Sequence, residues 1–396
     1  MSEMGPFGAG GPFGDVMRNL ARMLTTQGPV NWEIARQLAT WTATGGAPEA
    51  NPEPVSRVRM EELLRVAELH VTEATGLSSS TGKVLSVHAT GRSDWALQTL
   101  EAWKPRFERL AGAMSAVTPP DPDDADAAPS SDPMAQLFSN LPQMLGPLLL
   151  GMQAGSMVGQ LASRAMGQYE LPMPRPSADE LLMIPATIDA FAHEWSLDVD
   201  DVRLWVCLRE VINHVIVSRP HVRARLDELI DAYVGAWEPD PHALEERLAG
   251  FDPTDIAALQ STFSDPSTLL GEMQTDEQRR LQVPLRALLV TIAGYADHIM
   301  DAVGRRLIAS FPQLTEALHR RRLEEHGGDR ILGQLFGVTL DAADYERGHA
   351  FISGVVERAG EDGLARLWRS EQEIPTPAEL DAPGLWLARI DLPAEG

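Results

Sequence analysis

The chain has 396 residues, of which 44% are hydrophobic and 23% are charged. These are ordinary proportions for a globular protein with two domains, or with one large domain and an appendage. The formal net charge of −24 disfavours nucleic acid and anionic membranes as partners, because both would be repelled.

The first third of the chain predicts a helical region. Residues 1–12 are rich in Gly, Pro and Phe and predict a disordered tail. Asn31 is well placed to cap a helix, and a Gly- and Pro-rich linker follows at 44–54. Apolar residues at helical spacing predict helices at 13–24, 32–41, 60–75 and 94–114. We therefore assign residues 13–117 to an N-terminal helical region.

An acidic, Pro-rich segment at 118–133 predicts a linker between two regions. An apolar segment at 141–166 follows, and its length would span a bilayer, but prolines, glycines and glutamines interrupt it. Gly151, Gly155 and Gly159 form a doubled GxxxG, a spacing that lets helices approach closely. We expect a buried helix and no membrane span. The sequence leaves open whether the helix at 143–166 belongs to the core or to an interface.

Residues 134–396 predict a second helical domain, so the whole chain is predicted to be mainly α with few short strands. An extended connector at 169–176 precedes either a short strand or a first helical turn at 181–184. The segment at 384–392 predicts a terminal strand or an extended arm. Helices are predicted at 186–195, 221–237, 242–249, 254–262, 275–303, 312–325 and 344–359.

The most informative helix is the one capped by Asp198 or Asp200 and ended before Pro220. Its residues 204–217 read LWVCLREVINHVIV. Zinc peptidases place HExxH on such a helix, where two His bind the metal and the Glu polarises the attacking water. Here the frame from Arg209 to Asn213 keeps only the Glu, Glu210.

Several separated blocks of the chain resemble an actinobacterial family of zincin-like proteins proposed to be zinc metallopeptidases or hydrolases. Some members are described as associated with the biosynthesis of a deazaflavin cofactor. The resemblance covers most of the chain. The blocks include PFG and MRNLARMLTTQGPVNWEIARQLA, the Gly-spaced helix, WVCLREVINHVIV, IAGYADHIMDAVG, RRRLEEHGGDRILGQLFGVTLDAADYERGHAFI and IPTPAELDAPGLWLARI.

The resemblance implies a zincin-like helical scaffold whose catalytic centre has degenerated. Members with the complete motif carry HExxH on one helix and an EG step on a later helix, which supplies a third zinc ligand. Arg209, Asn213 and Ala293 stand at those three ligand positions, and Glu210 matches the general base. A guanidinium has no free lone pair for zinc, and alanine offers no donor. We therefore expect no metal, and we expect Arg209 to pair with Glu210 or with another nearby carboxylate.

These observations lead to three functional hypotheses. The first is an inactive pseudopeptidase that binds a protein or peptide or acts as a scaffold. We expect it in the cytoplasm, because a lone cysteine, Cys207, suits a reducing compartment. The second is a metal-dependent hydrolase, with zinc as the alternative cofactor, using a rearranged site. Its candidate ligands are Glu210, His214, Asp297, His298 and Asp301. The third is a homo-oligomer formed through the doubled GxxxG or the Phe/Gly-rich tail.

Overall fold

The computed structural model describes residues 28–80, 82–115, 133–176, 179–237, 275–323 and 327–392, which form the predicted mainly α fold. The strands are β1 (Ser86–Ala89) and β2 (Glu180–Met183). The helices in chain order are α1 (Trp32–Thr44), α2 (Pro54–Thr75), α3 (Arg92–Ser115), α4 (Pro133–Arg164), α5 (Pro185–Glu194), α6 (Val199–Val217), α7 (Pro220–Gly235), α8 (Asp276–Leu307), α9 (Phe311–Leu323), α10 (Gly327–Phe336), α11 (Ala342–Leu364) and α12 (Pro383–Asp391).

The doubled GxxxG of α4 packs against α1 within the same chain. A Cβ atom added at Gly151, Gly155 or Gly159 would lie less than 3.0 Å from a backbone oxygen of α1 or of its capping residue. Those oxygens belong to Asn31, Ala35 and Ala39. The glycine spacing therefore serves an intramolecular helix contact and belongs to the core.

The two strands form a parallel pair that joins distant parts of the chain. Ser86 is in register with Glu180, and Ala89 with Met183. Gly167, just after α4, forms an isolated antiparallel bridge with Met183. The pair thus fixes the segment that leaves α4 beside the start of α5.

The core is one apolar cluster drawn from both predicted regions. Phe336 of α10 makes edge-to-face contacts with Trp103 and Phe107 of α3, at centroid distances of 6.0 and 5.3 Å. A second close helix crossing joins α8 to α11, where Gly294 and Gly348 leave no room for a Cβ atom. These contacts hold α6, with the Arg209–Asn213 frame, against α2 and α8.

Most predicted elements in the described residues are present. Asn31 caps α1 by accepting from the Ile34 N–H at 3.2 Å, and Asp198 caps α6. Residues 180–183 form a strand, and α5 follows it. The prediction of a strand or extended arm at 384–392 is wrong, because α12 occupies it and Trp386 is buried there. Several predictions fall outside the described residues: the disordered tail predicted at 1–12, most of the linker predicted at 118–133, and the helices predicted at 13–24, 242–249 and 254–262.

Across the described ranges, no helix combines the length and the apolar character that crossing a membrane requires.

Candidate functional site

The candidate site lies on α6, where the segment at 165–170 crosses the helix. α6 starts at its Asp198 cap, and its apolar residues pack into the core over almost its whole length. Glu210 and His214 are four residues apart and therefore share one face. Both are buried: Glu210 is 0% exposed and His214 3%.

The Glu210 carboxylate is held by backbone N–H groups of the 165–170 segment. Its Oε2 accepts hydrogen bonds from Gln168 N at 2.8 Å and from Tyr169 N at 2.9 Å. Its Oε1 has no hydrogen-bond partner in the described structure. Gly167 lies so close to the carboxyl group that a Cβ atom there would collide with it. The glycine is what lets this backbone cover the glutamate.

Burial raises the pKa of Glu210 to about 7, because a carboxylate loses its hydration in the core. The nearby Arg209 and the two N–H donors lower the pKa but do not outweigh the loss of hydration, to which the negative charge of Glu170 adds. Glu210 is therefore close to half-protonated near neutral pH.

Arg209 forms a separate set of contacts on the same segment. Its Nη2 donates to Tyr169 O at 2.8 Å, and its Nη1 donates to Glu170 Oε1 at 3.4 Å. Burial alone would raise the pKa of Glu170, but the guanidinium groups of Arg209, Arg321 and Arg164 lower it to about 2. The carboxylate that pairs directly with Arg209 is thus Glu170, and Glu210 influences Arg209 only through space.

The other two positions that the family resemblance assigns to zinc ligands are Asn213 and Ala293. Asn213 donates its Nδ2 to Arg209 O at 2.8 Å, so its amide is tied to the preceding turn of its own helix. Ala293 presents only a methyl group, half-buried on α8 beside the glycine crossing with α11.

His214 belongs to a buried polar contact with Tyr169. The Tyr169 hydroxyl lies 3.1 Å from His214 Nδ1, and His214 Nε2 lies 4.0 Å from Asp179 Oδ1. Burial lowers the pKa of His214 and favours the neutral ring. Tyr169 thus contacts both predicted residues, through its backbone N–H to Glu210 and its hydroxyl to His214.

The structure does not group the candidate ligands of the rearranged metal site into one cluster. His298 lies 3.1 Å from Glu361 Oε1, and Asp301 pairs with Arg305 at 2.8 Å. Within the part of the chain that the structure describes, no three His, Cys, Asp or Glu side chains are grouped so that they could hold a metal ion. The five candidates Glu210, His214, Asp297, His298 and Asp301 all lie in that part.

The sequence did not point to Gly167, Tyr169 or Glu170 as site residues. They lie about 40 positions before their partners on α6. Gly167 was assigned no role, and Tyr169 and Glu170 were treated as the start of an extended connector. The usable signal was the run of polar residues Gln168, Tyr169 and Glu170 between an apolar helix and a Pro-rich stretch.

The chain is similar to known proteins over most of its length. The sequence profile of a family described as zincin-like metallopeptidases matches residues 30–387. A crystal structure from Chloroflexus aurantiacus, of a proposed hydrolase with a novel fold, matches with a TM-score of 0.61 at 25% identity. The match covers 93% of this chain and 100% of that one. No curated protein matches the chain.

Proposed function

The chain belongs to the zincin-like metallopeptidase family, and from that premise we propose that it is a pseudopeptidase, which binds a protein or peptide without cleaving it. Fold alone does not decide function, so the proposal rests on the residues of the site.

The residues at the three ligand positions do not fit zinc. A tetrahedral zinc site takes imidazole nitrogens, thiolates or carboxylates. Arg209 remains a cation with no free lone pair, the Asn213 amide is tied to its own helix, and Ala293 has no donor atom. We therefore derive no step that uses a bound metal.

The observation that carries the proposal is that both charged side chains of the frame are held by hydrogen bonds within the protein. Arg209 is bonded to Tyr169 O and Glu170, and Glu210 to two backbone N–H groups. A general base must reach the proton that it abstracts. Glu210 is fully buried beneath the 165–170 segment, so a substrate water cannot reach it unless that segment moves.

The test is the metal content and the peptidase activity of the purified, tag-free protein. After dialysis without chelator, we expect less than about a tenth of an equivalent of any divalent metal, because the described residues contain no group of His, Cys, Asp or Glu side chains that could hold one. We also expect no cleavage of a fluorogenic peptide library. The proposal would be overturned by about one equivalent of bound metal that is lost in His214→Ala and kept in the control His70→Ala.

Two observations on Glu210 favour the alternative, a metal-dependent hydrolase with a rearranged site. The pKa of about 7 suits Glu210 to act as a general base near neutral pH, and its Oε1 has no partner in the described residues. This alternative predicts hydrolysis of the peptide library that is abolished by EDTA and by Glu210→Gln. Activity that survives both treatments, or no activity at all, would eliminate it.

A further inference from the structure

A cavity of about 340 Å³ lies where α4 ends, beside α5, α9 and the start of α3. Its volume is near the lower end of the range of about 300–1,000 Å³ found for small-molecule sites. The cavity is distinct from the Arg209–Asn213 frame on α6, because neither Arg209 nor Glu210 lines it.

Three arginines line this cavity in a chain whose net charge is −24. They are Arg92, Arg164 and Arg321, and the lining contains one carboxylate, Glu194. Arg92 also contacts Glu49 at 3.3 Å, and Arg321 donates to the backbone oxygen of Arg164. Arginine presents a planar set of donors that matches a carboxylate, so the cavity favours an oxyanion.

Apart from Glu194, the wall formed by α5 is mainly apolar and aromatic. Phe191 and Trp195 lie one helical turn apart, with ring centroids separated by 6.1 Å. The Arg321 guanidinium sits 5.4 Å from the centroid of Phe191, so the cation and the aromatic wall are adjacent. A ligand with one anionic end and one apolar end matches this arrangement.

We propose that the cavity binds a carboxylate attached to an aromatic or branched apolar group, such as the carboxy-terminal residue of a peptide. The peptide as source rests on the proposed function, whereas the carboxylate and the apolar group follow from the lining alone. The arginines would hold the carboxylate, and Phe191 and Trp195 would pack against the apolar group.

Two arginines of the cavity also interact electrostatically with a residue that contacts the Arg209–Asn213 frame. Arg164 and Arg321 act on Glu170, which is bonded to Arg209. A bound carboxylate would therefore share these two cations with Glu170. Occupation of the cavity is expected to weaken their hold on Glu170 and to affect the 165–170 segment.

Isothermal titration calorimetry with N-acetyl-phenylalanine and its amide tests the charge requirement on the full chain. We expect the free acid to bind at least about tenfold more tightly than the amide, since one charge-assisted contact is worth that factor. Phenyl phosphate distinguishes the two oxyanions, and tighter binding of phenyl phosphate than of the acid would overturn the assignment to a carboxylate. Equal binding of acid and amide would also overturn it.

Three variants locate the site. Arg321→Gln is expected to weaken binding of the acid about tenfold or more. Arg320→Gln, an exposed neighbour on α9 that pairs with Glu316, should leave binding unchanged. Ala190→Trp would fill the cavity from an exposed position of α5 without removing a side-chain hydrogen bond, and it should abolish binding. Full binding by a folded Ala190→Trp protein would overturn the site.

Pentapeptides ending in phenylalanine, with a free or an amidated terminus, separate this inference from the proposed function. Binding of both forms with equal affinity would keep the peptide-binding function and overturn the cavity assignment. Binding of N-acetyl-phenylalanine without binding of any peptide would keep the cavity and remove the peptide-binding function.

Discussion

At the scale of single residues, Arg209 and Glu210 are sequence neighbours that bond to different parts of one segment. The sequence predicted that Arg209 would pair with Glu210 or with another carboxylate, and the direct partner is Glu170. The sequence could not identify Glu170, because its position depends on the path of the chain between α4 and β2. That path is fixed by the bridge between Gly167 and Met183 and by the hydrogen bond from Trp95 Nε1 to Gly167 O at 2.9 Å.

Replacing Arg209 should destabilise the protein. In Arg209→Ala, Glu170, whose side chain is 9% exposed, loses one of the cations that stabilise it, and Tyr169 O loses a donor. We expect the free energy of unfolding to fall by about 1–3 kcal/mol, because a charge-assisted contact and a hydrogen bond are lost in a buried region. Urea denaturation at pH 7 measures the change. The control Arg320→Ala removes an exposed ion pair and should change stability by at most about 0.5 kcal/mol. An Arg209→Ala protein as stable as the parent would refute the role given to this side chain.

Glu210 should make the stability of the protein depend on pH. Its pKa is about 7 in the folded state against an ordinary value of 4.5, so the folded state binds more protons between these pH values. Its contribution to stability is therefore complete below pH 4.5 and declines as the pH rises through 7. The total loss is at most about 3 kcal/mol, at 1.36 kcal/mol per pKa unit.

Glu210→Gln isolates this dependence, because glutamine keeps an acceptor for the two backbone N–H groups and cannot ionise. Urea denaturation between pH 5 and pH 8, values that bracket the pKa of about 7, should show the variant gaining stability relative to the parent as the pH rises. A constant difference between the two proteins across that range would show that Glu210 does not titrate there.

At the scale of elements, the sequence predicted what regular helical spacing and caps determine, and it missed what remote contacts determine. Asn31, Asp198 and the apolar stripe of α6 were sufficient to locate their helices. β1 has four residues, and its partner strand lies 94 positions later, so no local pattern reveals it. The segment that forms α12 was predicted as a strand or an extended arm. Packing of Trp386 against Phe351, at a centroid distance of 5.7 Å, stabilises the helix instead.

The contact between α1 and α4 should be sensitive to one added methyl group. In Gly155→Ala the new Cβ atom would collide with Ala35 O, so the two helices must separate. We expect a loss of about 1–3 kcal/mol, as for other overpacked sites. Gly146→Ala, on the same helix with nothing within 4 Å, should be neutral or gain up to about 1 kcal/mol in helix propensity. Thermal unfolding that ranks the two variants in the opposite order would contradict this packing.

At the scale of the whole molecule, the two regions predicted on either side of residues 118–133 share a sheet and a core. β1 belongs to the first region and β2 to the second. The glycine face of α4 is covered by α1, and α3 packs against α4 and α7. Without the first region, the second region would expose the backbone edge of β2 and the glycine face of α4. Burial of these two surfaces is part of what stabilises the second region.

Expression of residues 1–117 and 118–396 as two chains tests this dependence. We expect neither chain alone to give a cooperative thermal transition, because each lacks part of the shared core. Co-expressed, the two chains should form a one-to-one complex that unfolds in a single transition. A cooperative transition in the isolated 118–396 chain would mean that the second region folds as an independent domain. The helices α1 to α3 would then be an attachment to that domain, although their residues pack against the glycines of α4 and beside Gly167.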